Sequence, residues 1–246
     1  MVASQDEASL YIYDIIDADY GIGATQVISA LNSVKDAKML HIYINSAGGS
    51  VFEGRAMMAA IQRFEGKTMA HIDSLCASAA TSIALACDEV EMSDGALFMI
   101  HNASGLVYGD KNDMRQTADL LEKIESSIVN DYVTKTGKNE QDIMAFMDAE
   151  TWFTAAEALD NRFIDRITES PVKVKNAWNL SAFKNAPVLN TEQPVKTPQY
   201  STEDIARAFG VPITVQDAKD ESTQPILEGS LMATSNSNKL KLIQSL

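Results

Sequence analysis

Hydrophobic residues in the first 170 positions follow two alternating spacings, one typical of strands and one typical of helices. The runs that predict strands are residues 9–14, 38–45, 68–73, 90–92, 96–100 and 163–167, with residues 150–154 as a strand or turn. The stretches with helical spacing are residues 24–34, 51–64, 77–87, 113–136, 139–147 and 155–161. Strands that alternate with helices in this way form βαβ units. The pattern therefore predicts an α/β fold with a parallel sheet and right-handed crossovers.

Residues 113–136 form the longest amphipathic stretch, with apolar residues at i, i+3 and i+4 spacing. The apolar positions are Met114, Ala118, Leu121, Ile124, Ile128 and Tyr132. Gly137 is a suitable C-cap for this helix. A helix of this length needs a packing partner, which is either its own domain or a second subunit.

All six prolines of the chain lie after residue 170. Proline removes a backbone donor and interrupts helices and central strands. The sequence therefore predicts a folded domain over residues 1–170 and a loosely structured, polar extension over residues 171–246. Within the extension, residues 201–209 predict one short helix, since Ser201 is a suitable N-cap and Gly210 follows the last turn.

Charge and cysteine content argue against several classes of function. The chain has a net charge of −14, made up of −15 in residues 1–170 and +1 in residues 171–246. This acidity argues against nucleic acid and anionic membranes as partners. No apolar run approaches the roughly 18 residues of a membrane span, and residues 1–7 lack signal-peptide features, so we expect a cytoplasmic protein. Cys76 and Cys87 are the only cysteines, and their positions suit neither a disulfide framework nor a metal site. We expect no cofactor.

Three candidate chemical groups fall at the ends of predicted strands, where parallel sheets place their ligand sites. They are the Gly48-Gly49 turn, a predicted turn at residues 73–78 that ends in Ser78 among small residues, and His101 after an apolar strand. Each has an ordinary structural interpretation: a plain turn, a helix N-cap and a core histidine. In this order and spacing they also predict a catalytic site. Ser78 would be the nucleophile, His101 its base, and the N–H groups of Gly49 and Ala79 the oxyanion hole, with an acid that orients His101.

Several short motifs resemble the Clp protease proteolytic subunit family, within the crotonase-like superfold. These motifs are residues 43–51, Ala77-Ser78, residues 99–101, Thr136-Gly137, residues 150–157 and residues 163–165. The resemblance implies a serine endopeptidase with a Ser-His-acid triad that acts on protein or peptide substrates. It also implies that the helix at residues 113–136 is the handle through which rings of a homo-oligomer stack.

The position that matches the catalytic aspartate of the family holds Glu150, and Asp148 is the alternative two residues earlier. A glutamate can orient a histidine as an aspartate does, with one more rotatable bond, so we favour Glu150. Two other departures, Ala47 in place of proline and Ser74 in place of glycine, are compatible with turns.

The family's N-terminal axial segment and first helix have no counterpart, because the first predicted strand starts near Ser9. This argues against an ATP-driven unfoldase as partner. The short N-terminus, residues 77–80 (Ala-Ser-Ala-Ala) and the polar extension resemble the phage head maturation (prohead) proteases of this family. That branch implies capsid or scaffold proteins as substrates, in the bacterial host cytoplasm or inside the assembling prohead.

Two other functions remain open on the sequence. A crotonase-type acyl-CoA enzyme has the same fold and uses paired oxyanion amides on a thioester, without a role for Ser78 or His101. A catalytically inert assembly or scaffold protein would need neither residue.

Overall fold

The computed structural model describes residues 6–169 and 178–187, together with the backbone of residues 2–3. The strands are β1 (Val2–Ala3), β2 (Glu7–Ile12), β3 (Met39–Ser46), β4 (Lys67–Ala77), β5 (Glu89–Ser93), β6 (Leu97–Ile100), β7 (Thr151–Thr154) and β8 (Arg166–Thr168). The helices are α1 (Ala24–Ser33), α2 (Val51–Ile61), α3 (Ala79–Leu85), α4 (Lys111–Thr136), α5 (Glu140–Asp148) and α6 (Ala155–Asp160). The predicted α/β fold is confirmed.

The strands form one sheet in the order β1-β2-β3-β4-β5-β8, and β6 pairs with β4 and with β7. The pairs formed by β2 with β3, β3 with β4, β4 with β5 and β6, and β5 with β8 are parallel, as predicted. β1 and β7 pair antiparallel to their neighbours. Antiparallel strands at the edges of a parallel sheet are common, and here they make the sheet mixed.

β4 is longer than the sequence pattern predicts. We expected a strand at residues 68–73 and a turn at residues 73–78, and the turn is wrong because β4 runs to Ala77. The strand changes neighbour along its length, since residues 69–72 pair with β5 and residues 75–77 pair with β6. The second pairing satisfies backbone groups that would otherwise be unpaired. Ser78 therefore follows directly after a strand.

The two faces of the sheet differ in polarity. Along β3, Leu40, Ile42 and Ile44 are fully buried in the core that the helices cover. The residues between them point to the opposite face, where Tyr43 stacks on the His71 ring with centroids 4.5 Å apart. His41 Nδ1 lies 2.8 Å from His71 Nε2 on the same face. This face is a half-buried aromatic and histidine surface.

Residues 178–187, which we had assigned to the extension, pack against the sheet. Leu180 is buried in a small apolar cluster with Leu75, Ala77 and Met99. The predicted helix at residues 201–209 lies outside the described residues, and the domain boundary near residue 170 stays a prediction. In the part of the chain that the structure describes, no helix has the length and apolarity needed to cross a membrane.

Candidate active site

Ser78 occupies a strained turn between β4 and α3. Its φ of 53° lies in the left-handed region, which costs a non-glycine residue on the order of 1–3 kcal/mol. The Ser78 N–H donates to the Met99 carbonyl at 3.0 Å. The Ser78 carbonyl accepts from the amide and the hydroxyl of Thr81 at 2.9 and 2.7 Å. Its side chain makes no capping hydrogen bond to α3, so an N-cap role does not explain the Ser78 hydroxyl.

His101 follows β6, the strand that pairs with the end of β4. Its Nε2 atom lies 2.8 Å from Ser78 Oγ, a geometry in which the hydroxyl donates to a neutral imidazole. Burial lowers the pKa of His101, and the negative charge of Glu150 partly opposes this shift. His101 is therefore neutral near pH 7, which is the form that can accept a proton.

The Gly48-Gly49 turn is anchored beside Ser78 by Ile16. The Ile16 N–H donates to the Gly48 carbonyl at 2.7 Å, and the Ile16 carbonyl accepts from the Ser50 N–H at 2.7 Å. Gly48 and Gly49 have φ values of 90° and 138°, a region that favours glycine. A Cβ on Gly48 would lie 2.8 Å from Ser78 Cβ. The turn therefore lies so close to Ser78 that a residue with a Cβ at position 48 would clash with it.

The two predicted oxyanion amides directly follow the residues that meet here, because Gly49 follows Gly48 and Ala79 follows Ser78. Gly49 belongs to the turn, and Ala79 begins α3, with its nitrogen 3.0 Å from where a Gly48 Cβ would be. Among the described residues, no hydrogen bond uses the N–H of Gly49 or Ala79. Both donors are free to bind an oxygen that develops negative charge during attack by Ser78.

Glu150 lies just beyond α5, with a left-handed φ of 46° and only 9% of its surface exposed. Its carboxylate accepts from Trp152 Nε1 at 3.2 Å, from the Lys184 N–H at 2.9 Å and from the Asn185 N–H at 2.7 Å. Burial opposes ionisation of Glu150, but these hydrogen bonds and the nearby His101 together hold its pKa below the usual range. The side chain is a fixed, buried anion.

Asp148 has a different environment. It is exposed, and its Oδ1 accepts from Asn102 Nδ2 at 2.8 Å. The charge that acts on His101 is that of Glu150, through space, because no hydrogen bond joins the two side chains in the described structure. Of these two carboxylates, Glu150 is the one whose charge raises the pKa of His101.

A cavity of about 400 Å³ opens beside Ser78 and His101. Its other lining residues are Ile15, Ala47, Gly48, Gly49, Val51, Ala103, Ser104, Trp178, Asn179, Ser181, Ala182 and Phe183. The sequence analysis did not assign residues 178–183 to the site. The available signal was the group Trp178, Leu180 and Phe183 in an otherwise polar extension, but no periodicity connects such residues to a serine a hundred positions earlier.

Other reactive side chains lie outside this cavity. Cys76 and Cys87 are free and buried. Burial raises the pKa of both thiols, to about 12 for Cys87, which makes them poor nucleophiles. In the described residues, no group of three His, Cys, Asp or Glu side chains could hold a metal ion.

Comparison with known proteins shows the family of the chain. The family model for Clp protease matches residues 3–171. A Clp protease proteolytic subunit from Protochlamydia amoebophila is 27% identical over 169 residues, which is 67% of this chain and 82% of that protein. One from Thermobifida fusca is 31% identical over 155 residues, 61% of this chain and 74% of that protein.

A solved structure has the same fold. A mutant of ClpP1 from Listeria monocytogenes superposes with a TM-score of 0.59 at 22% identity, covering 65% of this chain and 91% of that one. The match of the family model over more than half of the sequence agrees with the predicted resemblance. The chain therefore belongs to the Clp protease family of serine peptidases.

Proposed function

We propose that this protein is a serine endopeptidase in which Ser78, His101 and Glu150 form the triad. The observation that carries the proposal is the 2.8 Å contact between Ser78 Oγ and His101 Nε2, made by a serine in a strained turn beside two free amides. A hydroxyl paired with a neutral imidazole is an activated nucleophile. Membership of a serine peptidase family supports a peptide bond as the target.

The reaction follows from the contacts of these groups. His101 Nε2 takes the hydroxyl proton as Ser78 Oγ bonds to the carbonyl carbon, and the Gly49 and Ala79 amides stabilise the resulting oxyanion. The His101 imidazolium, stabilised by the Glu150 charge, then donates its proton to the leaving amine as the C–N bond breaks. His101 then takes a proton from a water molecule, whose oxygen bonds to the carbonyl carbon of the acyl-enzyme. As the ester bond to Ser78 Oγ breaks, His101 returns the proton to Oγ, which releases the carboxyl product and regenerates the Ser78 hydroxyl.

The alternatives leave these observations unexplained. A crotonase-type acyl-CoA enzyme would use the Gly49 and Ala79 amides but gives no reason for the Ser78–His101 contact. An inert scaffold protein gives no reason for a serine in a costly φ region that is oriented towards a histidine. Turnover of an acyl-CoA thioester without any role for Ser78 would favour the first alternative.

The biological role that we propose is processing of capsid or scaffold proteins during phage head maturation, by a homo-oligomer of stacked rings. The resemblance of residues 77–80 and of the polar extension to the phage branch supports this role. The exposed apolar side chains of Met114 and Leu120 in the N-terminal half of α4 support a subunit contact through the handle helix. Cleavage of the cognate capsid or scaffold protein by the wild type, at the sites used in mature virions, tests the role.

Replacing the nucleophile tests the activity itself. Ser78→Ala should lower kcat for an unfolded protein substrate by more than about a thousandfold and abolish labelling by a fluorophosphonate, without a change in oligomer mass. Ser74→Ala, in β4 four residues before Ser78 but outside the cavity, is the matched control. Mass spectrometry should locate the label on Ser78. Cleavage that persists in Ser78→Ala, or a label that maps elsewhere, would overturn the proposal.

A further inference from the structure

We propose that residues 178–187, here called the 178–187 segment, are part of the active site: they position Glu150 and His101 and form one wall of the substrate cavity. The inference rests on the proposed serine peptidase function. The family model ends at residue 171, so the segment lies outside the part of the chain that the match covers.

The segment is anchored to the sheet beside the site. The side chain of Leu180 is buried, with 8% of its surface exposed, against Leu75, Ala77 and Met99. The indole N–H of Trp178 donates to Asn45 Oδ1 at 2.8 Å, so a fully buried amide oxygen depends on the segment for its partner. Burial of the Leu180 side chain and the hydrogen bond from Trp178 to a buried amide oxygen hold the segment against the sheet.

Two backbone amides of the segment hold the acid. The N–H groups of Lys184 and Asn185 supply two of the three hydrogen bonds to the Glu150 carboxylate. Asn185 Nδ2 also donates to the Ala149 carbonyl at 2.7 Å, which ties the segment to the left-handed turn at Glu150. A glutamate has one more rotatable bond than an aspartate. The two amides restrict that freedom and fix the charge near His101.

Phe183 contacts the base. Its ring meets the His101 ring edge to face, with centroids 5.6 Å apart, and meets the Trp152 ring in the same way at 5.5 Å. The contact limits rotation of the imidazole and shields it from water. The segment therefore acts on both partners of Ser78, the acid through backbone amides and the base through an aromatic ring.

The segment borders the cavity without filling it. The cavity of about 400 Å³ remains open between Ser78 on one side and Trp178 and Phe183 on the other. The Ser78–His101 contact is intact with the segment in place. These two observations favour a positioning role and disfavour an inhibitory one, in which the segment would occupy the substrate position.

Two matched pairs of substitutions in the full-length chain test the inference. Asn185→Pro removes the amide that binds Glu150, whereas Asn185→Ala keeps it. Phe183→Ala removes the ring beside His101, whereas Phe183→Tyr keeps a ring. We expect Asn185→Pro to lower kcat about tenfold with little change in KM, because Asn185 does not line the cavity, and Asn185→Ala to lose less. Phe183→Ala should lower kcat and raise KM, and Phe183→Tyr should restore most of both.

NMR titration of His101 gives a readout that does not depend on turnover, and the chain has only three histidines to assign. Without the Phe183 ring, water reaches the imidazole, so Phe183→Ala should raise the pKa of His101 towards its ordinary value, and Phe183→Tyr should not. A wild type that neither cleaves nor labels at Ser78 would overturn the proposed function, while the titration would still decide this inference. An unchanged titration in Phe183→Ala, or a gain of activity in either disruptive variant, would overturn the inference. The Phe183 pair keeps the test decisive if Asn185→Pro fails to fold.

Discussion

At the scale of single residues, the proposed triad depends both on its own side chains and on the backbone donors that hold Glu150. Ser78, His101 and Glu150 were predicted because each lies in a short motif of the family. The donors that hold Glu150 could not be found in this way, because Lys184 and Asn185 lie more than thirty residues further along the chain and act through backbone amides. Every residue except proline has a backbone N–H, so the residue type does not indicate which of these groups bind Glu150.

The position of Glu150 itself carries a cost. It follows the last turn of α5 with a positive φ, where glycine is the usual residue. Here a glutamate occupies a position that glycine would occupy with less strain. The turn geometry alone would favour glycine at position 150, so the presence of glutamate there is better explained by a role for its carboxylate.

Removal of the Glu150 charge should change the pH dependence of activity. Activity requires neutral His101, and burial lowers the pKa of His101 from the usual value of about 6.5. The midpoint of the wild-type pH profile, where kcat/KM is half its plateau value, should therefore lie below pH 6.5. The Glu150 charge raises the pKa of His101. Glu150→Gln should therefore move that midpoint to still lower pH. It should also reduce kcat/KM about 10- to 100-fold, less than the ~10⁴ lost where the acid bonds the histidine directly.

Asp148→Asn is the control for this experiment, because Asp148 binds Asn102 and not the histidine. Its pH profile should match that of the wild type. A larger loss in Asp148→Asn than in Glu150→Gln, or a midpoint that moves to higher pH in Glu150→Gln, would assign the acid differently.

At the scale of elements, hydrophobic spacing located the strands and helices but not their pairing. The core helices and strands appear close to the predicted positions, whereas β4 was predicted too short. Its last residues pair with residues of β6 that lie 22 positions further along the chain. This pairing carries the strand up to Ser78 and brings the end of β6, and so His101, beside it. The local pattern of residues 73–78 holds small and polar residues that suit a turn equally well.

The junction of β4, α3 and the glycine turn should be intolerant of added volume. In Gly48→Ala, the new Cβ would lie 2.5 Å from the Ala77 carbonyl oxygen and 2.8 Å from Ser78 Cβ, at a φ of 90°. Overpacking and backbone strain together should cost about 2–5 kcal/mol of unfolding free energy. They should also displace Ser78, so the rate of fluorophosphonate labelling should fall at least about a hundredfold. Thermal denaturation and labelling kinetics measure the two effects.

Gly95→Ala is the matched control, since a Cβ there meets no atom within 4 Å. Its stability should lie within about 0.5 kcal/mol of wild type, as is usual for surface substitutions. If Gly48→Ala labels as fast as Gly95→Ala, the turn does not form part of the site.

At the scale of the whole molecule, α4 is covered along only part of its length. Val129, Tyr132 and Thr136 in its C-terminal turns are buried, whereas Met114 and Leu120 near its start are 52% and 36% exposed. The sequence left open whether this helix packs on its own domain or on another subunit. The structure shows that the C-terminal end of α4 packs on its own domain. We propose that its N-terminal half packs on another subunit.

A charge on the exposed half of α4 should separate the proposed rings. Burial of one methionine side chain is worth about 1.5–3 kcal/mol, so Met114→Glu should weaken the contact about 10- to 100-fold or more at each interface. Sedimentation velocity should show a complex of half the mass, with an unchanged melting temperature of the subunit. Gln116→Glu, an exposed polar position on the same helix, is the control. An unchanged mass in Met114→Glu would contradict a contact through this part of α4.

Trp178 belongs to the 178–187 segment, and Trp152, the other tryptophan of the chain, lies against it. Trp152 stacks edge to face on Phe183, and Trp178 bonds to Asn45. Intrinsic fluorescence excited at the indole band therefore originates entirely from the border of the active site. Peptide entry into the cavity, or loss of the segment's contacts, should appear in the emission spectrum of the unlabelled protein, with no background from a distant indole.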